Sequence, residues 1–249
     1  MKKLIILILL IPSLCFAGAL QEKQRSVIQK KNAVTSCADT SCTGFLICQN
    51  FETTAEACDP CTEDNSESWD KTIGGTGTIT VDYETALRGS QSCQIASDGS
   101  NATAIYVTFA DQSTVYGFLR VKVNDGRPSG TNPIVSFIGT GSVGNISIMT
   151  DGHIRIYNGT ANVQSSTILD DGASGTLYVW FYWTKGTGSN GTMGIEVATT
   201  RAFSAWEAEG TTGTATSDMT QIIATSRYVT DAVFDQILIK TTAIGTVCE

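Results

Sequence analysis

The residue best suited to hydrolytic chemistry in this 249-residue sequence is its single histidine, His153. Serine and cysteine hydrolase triads need a histidine as general base, so any such site would have to use His153. It directly follows the dipeptide Asp151-Gly152, which predicts a tight turn. A lone histidine at the edge of a turn is typical of a surface residue, and the sequence therefore does not favour a triad.

Carboxylates are the second source of chemistry, because glycoside hydrolysis uses a pair of them at a fixed separation. Glu207 and Glu209 have a suitable two-residue spacing, but they lie in a segment predicted to be a loop or a short helix. Glu196 has no acidic residue two positions away. A protein without catalytic activity is therefore favoured over an enzyme.

Aromatic side chains offer a binding chemistry instead, since sugar rings stack on the apolar faces of exposed tryptophan and tyrosine. The segment Tyr178–Trp183 puts bulky rings on both faces of one predicted strand, where a sandwich core and a second layer are the alternative environments. Trp69 and Trp206 fall outside the clear strands, as rings at the edge of a sheet would. The candidate ligand-binding residues are Trp69, Tyr157, Trp183 and Trp206.

The N-terminus indicates where these residues would act. Met1-Lys2-Lys3 is followed by the apolar run Leu4–Leu14 and by small residues at Ala17-Gly18-Ala19. A short basic start, an apolar run too short to span a bilayer and an A-x-A pattern are typical of a cleaved secretory signal. We therefore expect a protein that is secreted or held at the cell surface, with the periplasm as an alternative.

Cysteines in an exported chain are expected to be oxidised. Seven follow the signal peptide, and all are disulfide candidates: Cys37, Cys42, Cys48, Cys58, Cys61, Cys93 and Cys248. The bridges are expected to cluster between Cys37 and Cys93, with Cys248 reaching back from the C-terminus. A four-thiolate zinc site in the first cluster is the alternative, disfavoured by irregular spacing. Because seven is odd, one thiol stays outside the disulfides or joins two chains in a homo-oligomer.

Charge excludes two classes of partner. The sequence has a formal net charge of −8, and removal of Lys2 and Lys3 with the signal peptide leaves −10. An acidic protein repels phosphate backbones and anionic lipid surfaces. We therefore expect no nucleic acid partner. We also expect no membrane insertion after signal cleavage, since no later segment approaches the ~20 apolar residues of a membrane helix.

Short alternating or apolar segments separated by turn residues dominate the chain after residue 44. Asp-Gly and Asn-Gly dipeptides supply the positive φ angles that tight hairpins need. Ile146–Met149 and Ile154–Tyr157 are predicted to form one hairpin, and Tyr178–Ala198 another with a longer tip. Only Ala202–Ala208 and Ser217–Ala224 are predicted to hold short helices. The expected strands are Phe45–Phe51, Thr78–Tyr83, Ser92–Ala96, Ala104–Phe109, Val115–Val123, Ile134–Ile138, Gly144–Thr150, His153–Tyr157, Tyr178–Thr184, Thr192–Ala198 and Ala232–Thr241.

The domain organisation follows from these patterns. Residues 1–19 are predicted to be the signal peptide, and residues 20–43 a leader that carries the first cysteines. Residues 44–249 are predicted to form one all-β domain, a sandwich or jelly roll, because many short strands occur with almost no helical periodicity.

The order of four short motifs adds a resemblance. A first strand ending in Phe51-Glu52 is followed by a loop with Trp69, by Leu87–Ile95, and by a closing strand Val233–Ile239. This order resembles the concanavalin A-like jelly rolls, which include laminin-G-like domains and carbohydrate-binding modules, over residues 44 to 243. The resemblance implies an antiparallel two-sheet jelly-roll sandwich.

The same resemblance implies a metal site and raises one enzymatic possibility. Glu52 and Asp235 match the positions that often bind a structural calcium in such domains, and calcium prefers carboxylate and carbonyl oxygens. The alternative is that both are ordinary solvent-facing residues. Jelly-roll polysaccharide lyases commonly use histidine and tyrosine with basic residues that neutralise a uronate, and His153 is the one histidine available.

The leading hypothesis is therefore a secreted, non-catalytic module that binds an extracellular polysaccharide or serves surface recognition. The first alternative is a structural subunit of an extracellular layer, filament or appendage, held by strand edges and an intermolecular disulfide. The second alternative is a polysaccharide lyase or glycoside hydrolase.

Overall fold

Regular alternation of buried and exposed side chains produces the strands of this protein. The computed structural model describes residues 45–49, 51, 69–82, 92–123, 127–168, 176–227, 231–245 and 247. These residues form fifteen β-strands and no helix, and all of them lie within one compact unit, Ala38–Glu249. In His153–Asn158, for example, every second side chain is buried. This is the pattern of a strand with one face on a core.

The strands are, in chain order, β1 (Ile47–Gln49), β2 (Asp70–Thr72), β3 (Thr78–Asp82), β4 (Ser92–Ala96), β5 (Thr103–Gln112), β6 (Thr114–Val123), β7 (Asn132–Gly139), β8 (Gly141–Ile148), β9 (His153–Asn158), β10 (Ala161–Ile168), β11 (Thr176–Thr184), β12 (Gly191–Ala198), β13 (Ala208–Gly213), β14 (Met219–Ser226) and β15 (Asp231–Lys240).

These strands form two antiparallel sheets. The first sheet has the order β13-β12-β11-β6-β15-β4-β3, and β1 also pairs with β15. The second sheet has the order β10-β9-β8-β7-β14-β5-β2. The main hydrophobic core contains buried side chains from both sheets, such as Phe181 from β11 and Phe137 from β7, whose rings stack 5.3 Å apart. This confirms the predicted all-β, antiparallel two-sheet sandwich.

A second, smaller cluster lies on the other face of the first sheet. Phe118 and Trp180 are buried there beneath Ile244 and Val247, and the Trp180 indole donates a hydrogen bond to the carbonyl of Gly245 at 3.1 Å. The C-terminal segment therefore covers part of this face. The strand β11 accordingly has apolar rings on both faces, as the sequence predicts.

Both predicted hairpins are confirmed. β8 and β9 pair with Ile148 opposite Ile154, and Gly152 between them has a φ of 90° that favours glycine. β11 and β12 pair with Thr184 opposite Thr192.

The two predicted helices are wrong. Residues 202–207 have no regular structure, and Met219–Ser226 form the strand β14. In β14, Ile222 and Ala224 are buried in the main core, whereas Gln221 and Ile223 are half-buried on the other face of the sheet. This period of two is the strand signal, and it outweighs the local helix propensity.

The two cysteines in the described part of the chain, Cys48 and Cys93, lie in different environments. Cys48 in β1 is disulfide-bonded, whereas Cys93 in β4 carries a thiol and is completely buried in the main core. The prediction that Cys93 belongs to the disulfide cluster is therefore wrong: its side chain packs between the sheets as a small apolar group. Cys37, Cys42, Cys58, Cys61 and Cys248 lie outside the described residues, so the remaining pairing stays a prediction.

In the described part of the chain, no helix is both long enough and apolar enough to cross a membrane.

A surface turn between β4 and β5 predicts a pH-dependent contribution to stability. The Asp98 carboxylate accepts hydrogen bonds from the backbone N–H groups of Ser100 and Asn101, at 2.9 and 2.6 Å. The bonds with Asn101, followed by that with Ser100, lower the pKa of Asp98 to about 2. Because the pKa falls on folding, the carboxylate stabilises the fold above about pH 4, and this contribution disappears toward about pH 2.

We therefore expect Asp98→Asn to lower the melting temperature slightly at neutral pH and to have no effect near pH 2, as measured by thermal unfolding. Asp70→Asn is the control, because the carboxylate of this exposed residue makes no hydrogen bond with the described residues. An Asp98→Asn difference that is the same at all pH values would contradict the assignment.

Candidate functional site

A row of side chains crosses the outer face of the second sheet, the face turned away from the core. The strand register places directly neighbouring residues in the order Asp70, Tyr106, Ile223, Ser136, Asn145, Tyr157 and Asn162. We call these seven residues the cross-strand row. It runs perpendicular to the strands, and a tyrosine lies near each end. The spacing of strands separates Tyr106 in β5 from Tyr157 in β9 by roughly 19 Å.

Three side chains with chemical potential alternate along β9. His153, Arg155 and Tyr157 occupy the outer face, while Ile154 and Ile156 between them are buried in the main core. The alternation itself explains why the three polar groups lie on one surface. All three are half-buried, so each one can contact both the sheet and a ligand.

The histidine ring is held in one orientation. Its Nδ1 lies 2.6 Å from the carbonyl oxygen of Ser165 in β10. A carbonyl oxygen can only accept, so Nδ1 carries the hydrogen and donates it. In the neutral ring, Nε2 therefore holds the lone pair and can act as a hydrogen-bond acceptor or as a base.

Arg155 is the strongest candidate for a ligand contact. Its Nε is buried and makes no hydrogen bond with any described residue. A buried donor without a partner costs stability, and a guanidinium offers parallel donors that match a carboxylate. Neither Tyr157 nor Tyr106 uses its hydroxyl in a hydrogen bond with the described residues. The outer face thus presents several unused polar groups together.

The charge of this face differs from that of the whole chain. The five adjacent strands β10, β9, β8, β7 and β14 contain no aspartate or glutamate, although the sequence has 24 acidic residues. Asp70 lies at the far edge of the sheet, in β2. The strands around Arg155 therefore contribute no carboxylate side chain of their own to this face.

A cleft lies over the other half of the row. Its volume is about 410 Å³, and Tyr106, Ser136, Gln221, Ile223, Thr225 and Arg227 are among its lining residues. Arg227 is exposed at the end of β14. The cleft adds a second basic group and further hydroxyl and amide groups to the same face as Arg155.

The end of β9 is anchored by Asn158, which follows Tyr157 and is completely buried. Its Nδ2 donates hydrogen bonds to the carbonyls of Thr184 and Thr192, at 2.9 and 3.1 Å. Its Oδ1 accepts one from the N–H of Ala215 at 3.2 Å. These bonds tie β9 to β11, to β12 and to the segment before β14.

The structure separates the four predicted aromatic ligand residues. Tyr157 lies on the cross-strand row. Trp206 lies on the other sheet, half-buried beside Tyr182 and Phe203. Trp69 and Trp183 are buried in the core, 1% and 0% exposed, where their indoles bond to Gln49 and to the carbonyl of Val143. The prediction is therefore wrong for Trp69 and Trp183, because a ring enclosed on both faces cannot stack on a sugar.

The predicted calcium ligands can be followed only in part. Asp235 is completely buried, at a register shift of β15 between the residues paired with β4 and those paired with β1. It is therefore not an ordinary solvent-facing residue. Its carboxylate fits the donor chemistry of calcium. Glu52 lies outside the described residues, and no group of three or more possible metal ligands occurs within the described part. The calcium site stays a prediction.

Two of the carboxylates considered from sequence for catalysis, Glu207 and Glu196, make hydrogen bonds within the protein. Glu207 binds the backbone N–H and hydroxyl of Ser166 in β10, and Glu196 binds the backbone and hydroxyl of Ser204. Sequence reasoning missed Arg155, although its two-residue spacing from His153 and from Tyr157 was a readable signal.

No protein-family model matches this sequence, and no curated protein matches it. Solved structures do match in fold. Endo-β-1,4-glucuronan lyase from Trichoderma reesei superposes with a TM-score of 0.50 and 14% identity, over 70% of this chain and 91% of the lyase. Alginate lyase vAL-1 from Chlorella virus gives 0.50 and 10%, over 70% and 93%.

A chain of botulinum neurotoxin type C, which depends on interaction with two ganglioside molecules to enter cells, gives a TM-score of 0.55 and 11% identity. The match covers 82% of this chain and 48% of the toxin chain, so this protein spans about half the length of that relative. At these identities the similarities show a shared jelly-roll or sandwich fold. No match confirms a particular family within it.

Proposed function

We propose that the outer face of the second sheet binds an acidic polysaccharide, one whose sugars carry carboxylates. The observation that carries the proposal is Arg155, a half-buried residue whose Nε has no partner among the described residues, on a face whose five adjacent strands lack acidic residues. Glycan-binding and polysaccharide-cleaving proteins among the structural neighbours support the ligand class at the level of the fold.

The cross-strand row suggests how the glycan would lie. Tyr157 and Tyr106 offer rings for stacking, and the side chains of Ser136 and Asn145 between them offer hydroxyl and amide groups for sugar hydroxyls. A chain that lies across the strands would place one carboxylate on Arg155 and others toward Arg227 in the cleft.

The test compares hexagalacturonate with its methyl ester by isothermal titration calorimetry. The two ligands have the same sugar backbone, but only the acid form carries carboxylates. We expect the acid form to bind, with an affinity that falls as salt is added, and the ester to bind much more weakly. Equal binding of both ligands, or binding of neither, would contradict an acidic-glycan site.

A second candidate function rests on the alternation along β9. In β-elimination, a base removes the proton α to a uronate carboxylate, the glycosidic C–O bond breaks, and a C=C bond forms. Arg155 could neutralise the carboxylate, while His153 Nε2 and the Tyr157 hydroxyl could transfer the protons. Ultraviolet absorbance of an unsaturated product in the same hexagalacturonate mixtures would identify a lyase, and its absence would leave a binding module.

Export, the disulfide framework and a structural calcium at Glu52 and Asp235 belong to this proposal as expectations. They suit a protein that meets polysaccharide outside the cell. A structural subunit of an extracellular layer or appendage remains the alternative that a negative glycan-binding result would favour.

A further inference from the structure

A second group of aromatic residues lies on the opposite side of the molecule, on the outer face of the first sheet. Phe45, Tyr116, Tyr182 and Trp206 are all half-buried there. We call these four residues the aromatic platform. Tyr116 and Tyr182 are cross-strand neighbours with ring centroids 5.9 Å apart, and Trp206 lies 4.8 Å from Tyr182.

Charged side chains lie at both ends of this platform. The strand register places Glu209, Gly194, Tyr182, Tyr116 and Lys240 side by side across β13, β12, β11, β6 and β15. The Lys240 ammonium also lies 4.9 Å from the centre of the Phe45 ring. An acceptor and a donor thus flank a central pair of rings.

The Tyr182 ring packs closely against Gly194 of the neighbouring strand. A Cβ at Gly194 would come within 2.2 Å of Tyr182 Cε1, so only glycine leaves room for the ring. The hydroxyl donates a hydrogen bond to Glu209 Oε1 at 2.8 Å, and burial together with this bond raises the pKa of Tyr182. The ring is therefore held in place by Gly194 and Glu209, while part of its surface stays exposed.

The platform differs from the aromatic cluster beside it. Phe118 and Trp180 in the adjacent part of the same face are buried under the C-terminal segment, whereas the platform residues keep part of their surface exposed. Glu209 is exposed, and Tyr182 is its only hydrogen-bond partner among the residues that the structure describes. Its second oxygen is available to an external donor.

We propose that the aromatic platform binds a neutral glycan, independently of the acidic-glycan site on the other sheet. Its rings supply stacking surfaces, Glu209 accepts hydrogen bonds from sugar hydroxyls, and Lys240 donates to sugar oxygens. A uronate is disfavoured because the exposed carboxylate of Glu209 would repel it. With one site on each sheet, the protein would bridge two polysaccharides of different charge.

Cellohexaose is the probe, titrated by calorimetry into the full mature chain. Tyr116→Ala should weaken its binding by about tenfold or more, because a stacking ring is lost. Tyr106→Ala removes a tyrosine from the other sheet and should leave cellohexaose binding unchanged. Hexagalacturonate should bind the Tyr116→Ala protein as it binds the wild type, which separates this proposal from the first.

A second variant keeps the proposal testable if Tyr116→Ala does not fold. Glu209→Ala changes an exposed side chain and should also weaken cellohexaose binding about tenfold, through the lost charged acceptor. Normal cellohexaose affinity in both folded variants would overturn the proposal, as would no cellohexaose binding by the wild type or competition between cellohexaose and hexagalacturonate for one site.

Discussion

Replacing Arg155 by alanine is expected to reduce the affinity for hexagalacturonate by about a hundredfold or more. A guanidinium can make two parallel charge-assisted hydrogen bonds to a carboxylate, each worth about 1.5–3 kcal/mol, and each 1.4 kcal/mol corresponds to about tenfold in Kd. The variant should fold normally, because the Nε of Arg155 makes no hydrogen bond with the described residues that the substitution could remove. Calorimetry measures the affinity, and thermal unfolding checks the fold.

Two further variants distinguish the effect of the guanidinium geometry from the effect of positive charge on the affinity. Arg155→Lys keeps the positive charge but loses the planar fork, so we expect an intermediate affinity. Lys122→Ala removes one positive charge from β6, in the other sheet, and should change the affinity little. If Lys122→Ala weakened binding as much as Arg155→Ala, net charge rather than a built site would account for the interaction.

The hairpins could be predicted because their signals are local. In β8 and β9, alternating isoleucines flank an Asp-Gly turn, and pattern and turn chemistry indicate the same register. A period of two is also present in β14, but only over the short stretch 221–224, where the sequence prediction favoured a helix. A short apolar segment is ambiguous between the two structures until its neighbours are known.

The candidate site could be predicted only in part, because its residues are brought together by sheet order. Tyr106 and Ser136 lie on the same row because β14 is placed between β5 and β7 in the sheet. Neighbouring residues of β14 and β7 are more than 80 positions apart in the sequence. No local pattern encodes that placement. The three polar residues of β9 are the exception, since their spacing alone places them on one face.

The aromatic predictions failed for a related reason. In β11, rings alternate on both faces, so the sequence does not distinguish the face of Trp183, which is buried in the main core, from that of Tyr182, which contributes to the aromatic platform. Trp69 precedes the short strand β2 and packs near Phe51, with ring centroids 6.5 Å apart. A tryptophan outside the clear strands can therefore still belong to the core.

Asn158→Asp is expected to destabilise the fold by about 3 kcal/mol or more, because buried polar groups lose their hydrogen bonds. The Asn158 amide donates to two backbone carbonyls from a completely buried position. A carboxylate of the same shape cannot donate, so both carbonyls would lose their partner and would face a negative charge instead. For a domain of this size, the melting temperature should fall by about 10 °C.

The pH dependence identifies the cause of the Asn158→Asp effect. Burial and the two facing carbonyls would raise the pKa of the new carboxyl above its unfolded value near 3.9, so the added cost appears as the pH rises above about 4. At lower pH the protonated carboxyl can donate one hydrogen bond and recover part of the loss. Asn162→Asp, an exposed change in the same hairpin, should shift the stability by no more than about 0.5 kcal/mol. Equal melting temperatures for the two variants would show that the side-chain bonds of Asn158 do not anchor β9, and the orientation of Tyr157 beside it would then depend on the strand ladder alone.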